Sequence, residues 1–364
     1  MIYMDHAATT PLCDAAKEAI LEHLDNYGNP SSVYEFGRQS RLLIEDARER
    51  IAKCINAEPD EIFFTSGGSE ANTWAIKNHI IMSSKIEHHS VDVFYKHDFL
   101  NVNKDGIVDL NSLSCIDSRF ARMIEMTSCM YVNNEIGTIQ PIKEMVPIVH
   151  GKNMLFHTDA VQAIGHMPID VKDLGVDMLS ASAHKFGGMK GCGFLYIKNG
   201  TNVSKLIKGG KQENSMRGGT ENVLGIISMA AALEDAVERM EERNKYIKKL
   251  RDTMLNKLLQ IEGAHLNGSL EQRTVSNINV RFDGTSGSRL VALCDLYGLC
   301  ISSGSACNEG EATPSHVLKA IGLSDEEALS SIRITLGHQN TIEEVDTAAD
   351  IITKLVARIR EENE

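Results

Sequence analysis

Met178-Leu179-Ser180-Ala181-Ser182-Ala183-His184-Lys185-Phe186-Gly187-Gly188 reads as a short apolar strand running straight into a polar turn closed by glycine. The same grammar recurs on both sides of it. Apolar runs ending in Gly, Ser, Asp or His occupy Glu61 to Thr65, Arg122 to Ser128, Met154 to Thr158 and Cys192 to Ile197, and helix-like stretches such as Ala71 to Lys77 and Ile142 to His150 separate several of them. This alternation predicts an α/β fold, a mostly parallel sheet between helices. Such sheets bind ligands beyond the carboxyl ends of their strands, so the residues that follow each run are the ones to question.

Further along, Leu233, Val237, Met240, Ile247, Leu250, Met254 and Leu258 recur at three-, four- and seven-residue intervals and predict one long amphipathic helix from Ser228 to Ile261, able to bridge two domains. Val275 to Phe282 and the segment from Arg289 onward carry strands and helices of their own, a smaller α+β unit. The expected division is a large domain over residues 15–245 and a small one from residues 1–14 and 246–364, in keeping with a chain of 364 residues. Thr341 and Glu344 have the spacing of a capping box for a last helix reaching about Arg360.

The bulk composition narrows the function. Apolar residues make up 42% and charged residues 24%, with no run long enough to span a membrane and no basic, then apolar, leader at the start; a cytoplasmic protein is expected. A formal net charge of -13 argues against a general nucleic-acid binder, since phosphate binding needs a basic surface. The 8 cysteines are scattered, with no C-x-x-C pair and no zinc spacing, so no metal site is expected; most read as reduced, and Cys54, Cys115, Cys129, Cys192 and Cys294 as buried apolar filler.

Lys185 is either a surface lysine in a turn, as most are, or an amine held at a strand end to form a Schiff base. Asp159, after the run Met154 to Thr158, is either the N-cap of a following helix or the carboxylate that a pyridoxal 5'-phosphate (PLP) ring nitrogen requires. Phe64-Thr65-Ser66-Gly67-Gly68-Ser69-Glu70 is strand, glycine turn and helix start, a cradle for an anion or simply a tight turn. It has neither the lysine of a Walker loop nor a dinucleotide fingerprint. Together the three elements favour a PLP site; each alone leaves both readings open.

Asp5-His6-Ala7-Ala8-Thr9-Thr10, Gly28-Asn29-Pro30-Ser31-Ser32, Asn133-Asn134-Glu135-Ile136-Gly137, Ala183-His184-Lys185, Arg217-Gly218-Gly219-Thr220 and Ser302-Ser303-Gly304-Ser305-Ala306-Cys307 resemble, in this order, the motifs of the NifS/IscS-type cysteine desulfurases. These enzymes lie within the class V aminotransferase-like group of fold-type I PLP enzymes, and the likeness runs from Tyr3 to about Ala349. The resemblance implies that residues 15–245 bind PLP and that the small domain carries a catalytic cysteine loop. Lys185 then holds the cofactor, Asp159 pairs with the pyridine nitrogen, and Gln162 and Asn134 meet the ring hydroxyl region or the substrate. Gly68 belongs to the glycine turn that faces the phosphate. Ser69, Ser182 and His184 match phosphate-binding positions, and Thr220 matches a residue that reaches the phosphate of a partner subunit, which implies a homodimer. His88 matches the histidine that stacks on the ring and handles protons; Arg333 matches the arginine that binds the substrate carboxylate.

Cys307 separates desulfuration from the other reactions PLP supports, because an aminotransferase has no use for a cysteine there, and selenocysteine use stays open. The implied activity converts L-cysteine to L-alanine with the sulfur passing to Cys307 as a persulfide and then to an acceptor, an iron–sulfur scaffold or another sulfur-carrier protein. The surroundings Gly304, Asn308, Glu309 and Gly310 read as an exposed loop, and with Glu311 they are the expected meeting place for the acceptor, since the acidic end after Arg360 has no apolar anchor. His6, Tyr34, Met189 and Lys211 depart from the residues usual in the family, and the segments Lys77 to His88 and His88 to Asn133 are shorter than usual, so trimmed peripheral helices are expected.

Overall fold

The computed structural model describes residues 1–92, 99–115, 123–303, 307–308 and 311–363. Its strands, in chain order, are β1 (Ile2–Tyr3), β2 (Ile62–Thr65), β3 (Ile81–Ser84), β4 (Phe99–Leu100), β5 (Met126–Ser128), β6 (Leu155–Asp159), β7 (Met178–Ser182), β8 (Gly193–Ile197), β9 (Ala264–Leu266), β10 (Asn277–Phe282), β11 (Leu299–Cys300), β12 (Ser302–Ser303), β13 (Cys307–Asn308), β14 (Glu311–Ala312) and β15 (Ser331–Thr335). Seven form the large sheet in the order β2-β8-β7-β6-β5-β3-β4. Within it β3, β4, β5, β6 and β7 pair in parallel, and β8 runs against both β7 and β2. The expected α/β class and mostly parallel sheet are what the chain adopts.

Both faces of this sheet are covered, which is why its strands carry little polar alternation. Along β7 and β8 the side chains go to opposite cores: Leu179, Ala181, Phe194 and Tyr196 join a cluster with Ile44, Ile51, Phe156 and Leu233. Met178, Leu195 and Ile197 join Trp74 and Ile76 on the other face. The carboxyl ends of β2, β3, β5, β6 and β7 open on one edge of the sheet, and the residues just beyond them form the site described below.

A second, antiparallel sheet has the order β12-β15-β10-β9. Its core gathers Met4 with Ile247, Leu250, Val280, Ile332, Ile352 and Ile359, so the chain's first residues pack with its last third. A small cluster of Ile86, Met130 and Ile136 with Val317, Leu318 and Ile321 joins the two regions.

The long helix read from periodicity is two helices, Val223–Glu238 and Met240–Leu258, broken at Arg239 (φ -101, ψ 9). The first is buried almost all round from Gly225 to Leu233 and belongs to the large-sheet core. The second turns Ile247, Leu250 and Met254 to the small-sheet core. One straight helix cannot present its apolar stripe to both, and Asp235 stabilises the break by binding Arg239 at 3.2 Å and Arg243 at 2.7 Å. The last helix, Ile342–Glu361, starts as the sequence implies, with the Thr341 hydroxyl accepting from Glu344 N–H and the Glu344 carboxylate accepting from Thr341 N–H.

The reading of the cysteines as buried filler needs correction at two positions. Cys129, Cys192 and Cys294 are buried, but Cys115 is exposed and Cys54 is only half-buried. Cys115 ends the short helix Leu110–Ser114, whose inward residue is Leu113, so its own side chain has no core to enter. Around Cys307, in the segment expected to be an exposed loop, the backbone of β13 pairs antiparallel with β14 over two residues each. The side chains there, with residues 304–306 and 309–310, lie outside the described residues, as do 93–98 and 116–122 in the segments expected to be trimmed. Among the described residues no helix is long and apolar enough to cross a membrane.

Candidate active site

A cavity of about 350 Å³ lies beyond the carboxyl ends of the large sheet. Each strand end brings one kind of chemistry to it. β7 ends at Ser182 and turns through Ala183–Lys185, so that Ser182, His184 and Lys185 all line the cavity. The Lys185 amine donates to the carbonyls of Ala7 at 2.6 Å and Ala8 at 2.9 Å. Burial, with a smaller push from Arg333, lowers its pKa to about 8, against an opposing pull from Asp159. The first residues of the chain are pinned to the same turn: Thr10 N–H and its hydroxyl each donate to the His184 carbonyl at 2.9 Å, and His184 Nδ1 lies 3.1 Å from the Thr9 hydroxyl. Burial also lowers the His184 pKa to about 4, keeping the ring neutral beside Lys185.

β6 delivers Asp159, buried at the strand end rather than capping a helix. Its Oδ2 accepts from Asn72 Nδ2 at 2.6 Å and its Oδ1 from Val161 N–H at 2.9 Å, which fixes the plane of the carboxylate. Asn72 also donates to Ser90, while its own Oδ1 is buried without a partner among the described residues.

β2 leads into Gly67 and the helix Gly68–Ile76. Gly67 has φ 151, open to glycine and strained for other residues, and no side chain caps the helix, so its first N–H groups are left for something else. Gly68 packs so tightly that a Cβ there would come within 2.6 Å of Val161 Cγ2. Glu70, one turn on, is gripped by Arg217 through two bonds of 2.8 and 3.0 Å and accepts from Ser66 N–H. Thus the Arg217-to-Thr220 segment is anchored at the glycine turn, yet Thr220 itself is exposed and does not line this chain's cavity.

β3 and β5 bring His88 and Asn134. His88 Nδ1 accepts from Ser90 N–H at 3.1 Å, which leaves the ring proton on Nε2, and burial lowers its pKa. The residue is exposed and borders the open cavity. Gln162 donates to the Ala7 carbonyl at 2.9 Å. From the small sheet comes Arg333, in β15 between β12 and β10 and so not on an edge; its Nη1 donates to the Asn134 carbonyl at 3.0 Å and its Nη2 to Asp5 at 2.9 Å.

The cavity therefore gathers Gly68, Ser69, His88, Asn134, Asp159, Gln162, Ser182, His184, Lys185 and Arg333 from positions spread over most of the chain. The Cys307 side chain lies outside the described residues. Sequence reasoning assigned nothing to Asn72, Val161, Asp5 or the Ala7 and Ala8 carbonyls. Asn72 had a signal, since it falls one helical turn after Gly68 and shares its face.

Residues 2–347 match the family model described as Aminotransferase class-V. The cysteine desulfurase IscS of Methanosarcina thermophila is 44% identical over 378 residues, covering 99% of this chain and 93% of that one. Among solved structures, a NifS-like protein matches with a TM-score of 0.90 at 36% identity over 98% of this chain and 99% of the other. SspA, solved in complex with cysteine, matches with a TM-score of 0.80 at 31% identity over 94% and 100%. The chain belongs to the aminotransferase class-V family and, within it, to the cysteine desulfurases of the IscS and NifS type.

Proposed function

We propose that this desulfurase works with PLP in the cavity at the sheet edge and passes the sulfur of L-cysteine to Cys307. The observation that carries this reading is the meeting, in one cavity, of a lysine amine, an oriented carboxylate and an uncapped glycine turn from three strand ends. Those residues fit the cofactor. Lys185 would attach it covalently, Asp159 would pair with its pyridine nitrogen, and Gly68, Ser69, Ser182 and His184 would hold its phosphate, where the space above Gly68 admits no Cβ. When bound, PLP supplies an aldehyde carbon that captures the substrate amine and a ring that draws electrons from it.

The chain's own residues supply the rest. Arg333 offers a planar fork to the substrate carboxylate, with Asn134 beside it. His88, its pKa lowered by burial and its proton on Nε2, lines the same cavity and would hand on a proton beside the bound cofactor. Gln162 bridges the cofactor site to the chain's first residues. At Cys307 the carbon–sulfur bond of cysteine breaks as a sulfur–sulfur bond to the thiolate forms, and a proton returns to carbon, giving alanine and a persulfide. The persulfide then serves a sulfur acceptor, such as an iron–sulfur scaffold, in the cytoplasm.

A homodimer fits this scheme. Thr220 is free to reach a second copy, and Tyr27, Val33, Tyr34, Phe36 and Leu42 form an exposed apolar region, with Tyr27 and Val33 80% and 86% exposed. The division into residues 15–245 and 1–14 with 246–364 is proposed as well, with the break at Arg239 close to the boundary. The deciding experiment incubates the protein with cysteine and reductant and measures alanine and sulfide together. Equal amounts are expected, falling to background in Cys307→Ser while cysteine still perturbs the visible spectrum. Near-normal alanine from that variant refutes transfer to Cys307.

A further inference from the structure

Arg333 is held by more than its place in β15. One oxygen of Asp5 accepts from its Nη2 at 2.9 Å, and the side chains of this ion pair are only 11% and 16% exposed. The second oxygen of Asp5 accepts from the Ser302 hydroxyl at 2.9 Å. Ser302 is the residue that faces Arg333 across β12 and β15, so one carboxylate spans two adjacent strands. Asp5 is fixed in its turn: its backbone bridges to Thr335, and its carbonyl accepts from the Tyr3 hydroxyl at 3.0 Å. Arg333 borders the cavity and Asp5 does not, so Asp5 would meet a ligand's carboxylate through the arginine and not by direct contact.

A free arginine side chain loses about 2 kcal/mol of rotamer freedom when a ligand immobilises it. Here folding has already imposed that loss. The guanidinium has five N–H groups, of which Asp5 and the Asn134 carbonyl take one each, so donors remain for a second carboxylate. We propose that Asp5 is a positioning residue for α-carboxylate recognition: it presets the Arg333 guanidinium, so that amino acids gain an affinity that amines without a carboxylate do not. The proposal rests on the reading of Arg333 as the carboxylate site.

The test uses the holoenzyme and two inhibitors of cysteine turnover, L-alanine and ethylamine, which is alanine without its carboxylate. Asp5→Ala is expected to raise the KM for cysteine and the inhibition constant of alanine by roughly 10- to 100-fold, the worth of a hydrogen bond to a charged group. The kcat is expected to stay within about threefold and the ethylamine constant to stay unchanged. Asp5→Asn, which preserves an acceptor for Arg333, is expected to recover part of the loss, and it carries the test if Asp5→Ala does not fold. Equal weakening of alanine and ethylamine would make Asp5 a general support of the site and overturn the proposal, as would an unchanged or lower KM. Arg333→Lys separates the two readings. If it leaves the alanine constant intact, the carboxylate assignment itself fails; if it weakens alanine and Asp5→Ala does not, only the positioning role fails.

Discussion

Gly68→Ala isolates the space of the proposed phosphate cradle from its chemistry. Gly68 opens the helix Gly68–Ile76, where alanine is an acceptable residue and favours the helix over glycine by up to about 1 kcal/mol. Only the room above it opposes the change. The new methyl would sit 2.6 Å from Val161 Cγ2, about 1 Å inside ordinary contact, and Val161 cannot yield freely because it is branched and its N–H is bonded to Asp159 at 2.9 Å. Overpacking of this kind costs about 1–3 kcal/mol. The strain falls on the two elements that would hold the phosphate and orient Asp159, so PLP should bind roughly 5- to 150-fold more weakly. Equilibrium titration of the cofactor-free protein with PLP, followed by visible absorbance, measures this directly. Val161→Ala removes the clashing methyl, and the double variant should regain most of the affinity. Native-like PLP binding by Gly68→Ala, or a double variant no better than the single one, would show that the cradle does not close around the phosphate at this point.

Lys185 gives a pH prediction: with its pKa lowered from 10.5 to about 8 by burial, the amine loses its proton near pH 8, so the rate at which cofactor-free protein recaptures PLP should rise with pH and level off above about 8. A rate still climbing through pH 10 would mean the lysine is solvated. Glu213→Ala should destabilise the fold by up to about 3–5 kcal/mol in a denaturant titration, because it removes the buried partner that holds Arg48 at 2.9 and 3.0 Å, leaving it only the more exposed Glu45 carboxylate at 3.1 Å, and leaves Phe64 N–H without its acceptor. The same carboxylate fastens Glu213, Asn214 and Ser215 in left-handed backbone (φ 46, 52 and 66), and a loss under about 1 kcal/mol would show the turn is held otherwise. On the proposed homodimer, Thr220→Val should lower PLP retention without changing the sedimentation coefficient; an active, PLP-saturated monomer would defeat the shared-site reading.

What the sequence made legible was local. β7 begins and ends at Met178 and Ser182, where the run of apolar and small residues does, because a strand buried on both faces takes apolar side chains or small polar ones with an internal partner, as Ser180 has in His157 at 2.9 Å. Thr341 and Glu344 are three residues apart and their reciprocal bonds need nothing from the rest of the chain. The break at Arg239 is different in kind. No proline or glycine marks it, and the periodicity runs through it; it exists because the residues before and after face separate cores. Cys115 escaped for a related reason, since burial depends on what lies opposite a residue and not on its type.

The site divides along the same line. Lys185, Asp159 and the glycine turn stand at strand ends that hydrophobic pattern alone locates, and parallel pairing of β5, β6 and β7 then forces their carboxyl ends to one edge. The partners that aim them have no such mark. Asn72 and Asp159 are 87 positions apart, and Asp5 and Arg333 are 328 apart, brought together by the parallel contact of Asp5 with Thr335 and the antiparallel register of β12 on β15. A slip of one residue in that register would send Arg333 to the opposite face of the sheet and leave Asp5 facing an isoleucine, Ile332 or Ile334. If Arg333 receives the substrate carboxylate as proposed, that recognition depends on the folding of the small sheet onto the chain's first residues, and variants that loosen the packing of Met4 should weaken alanine binding before they affect the visible spectrum of the bound cofactor.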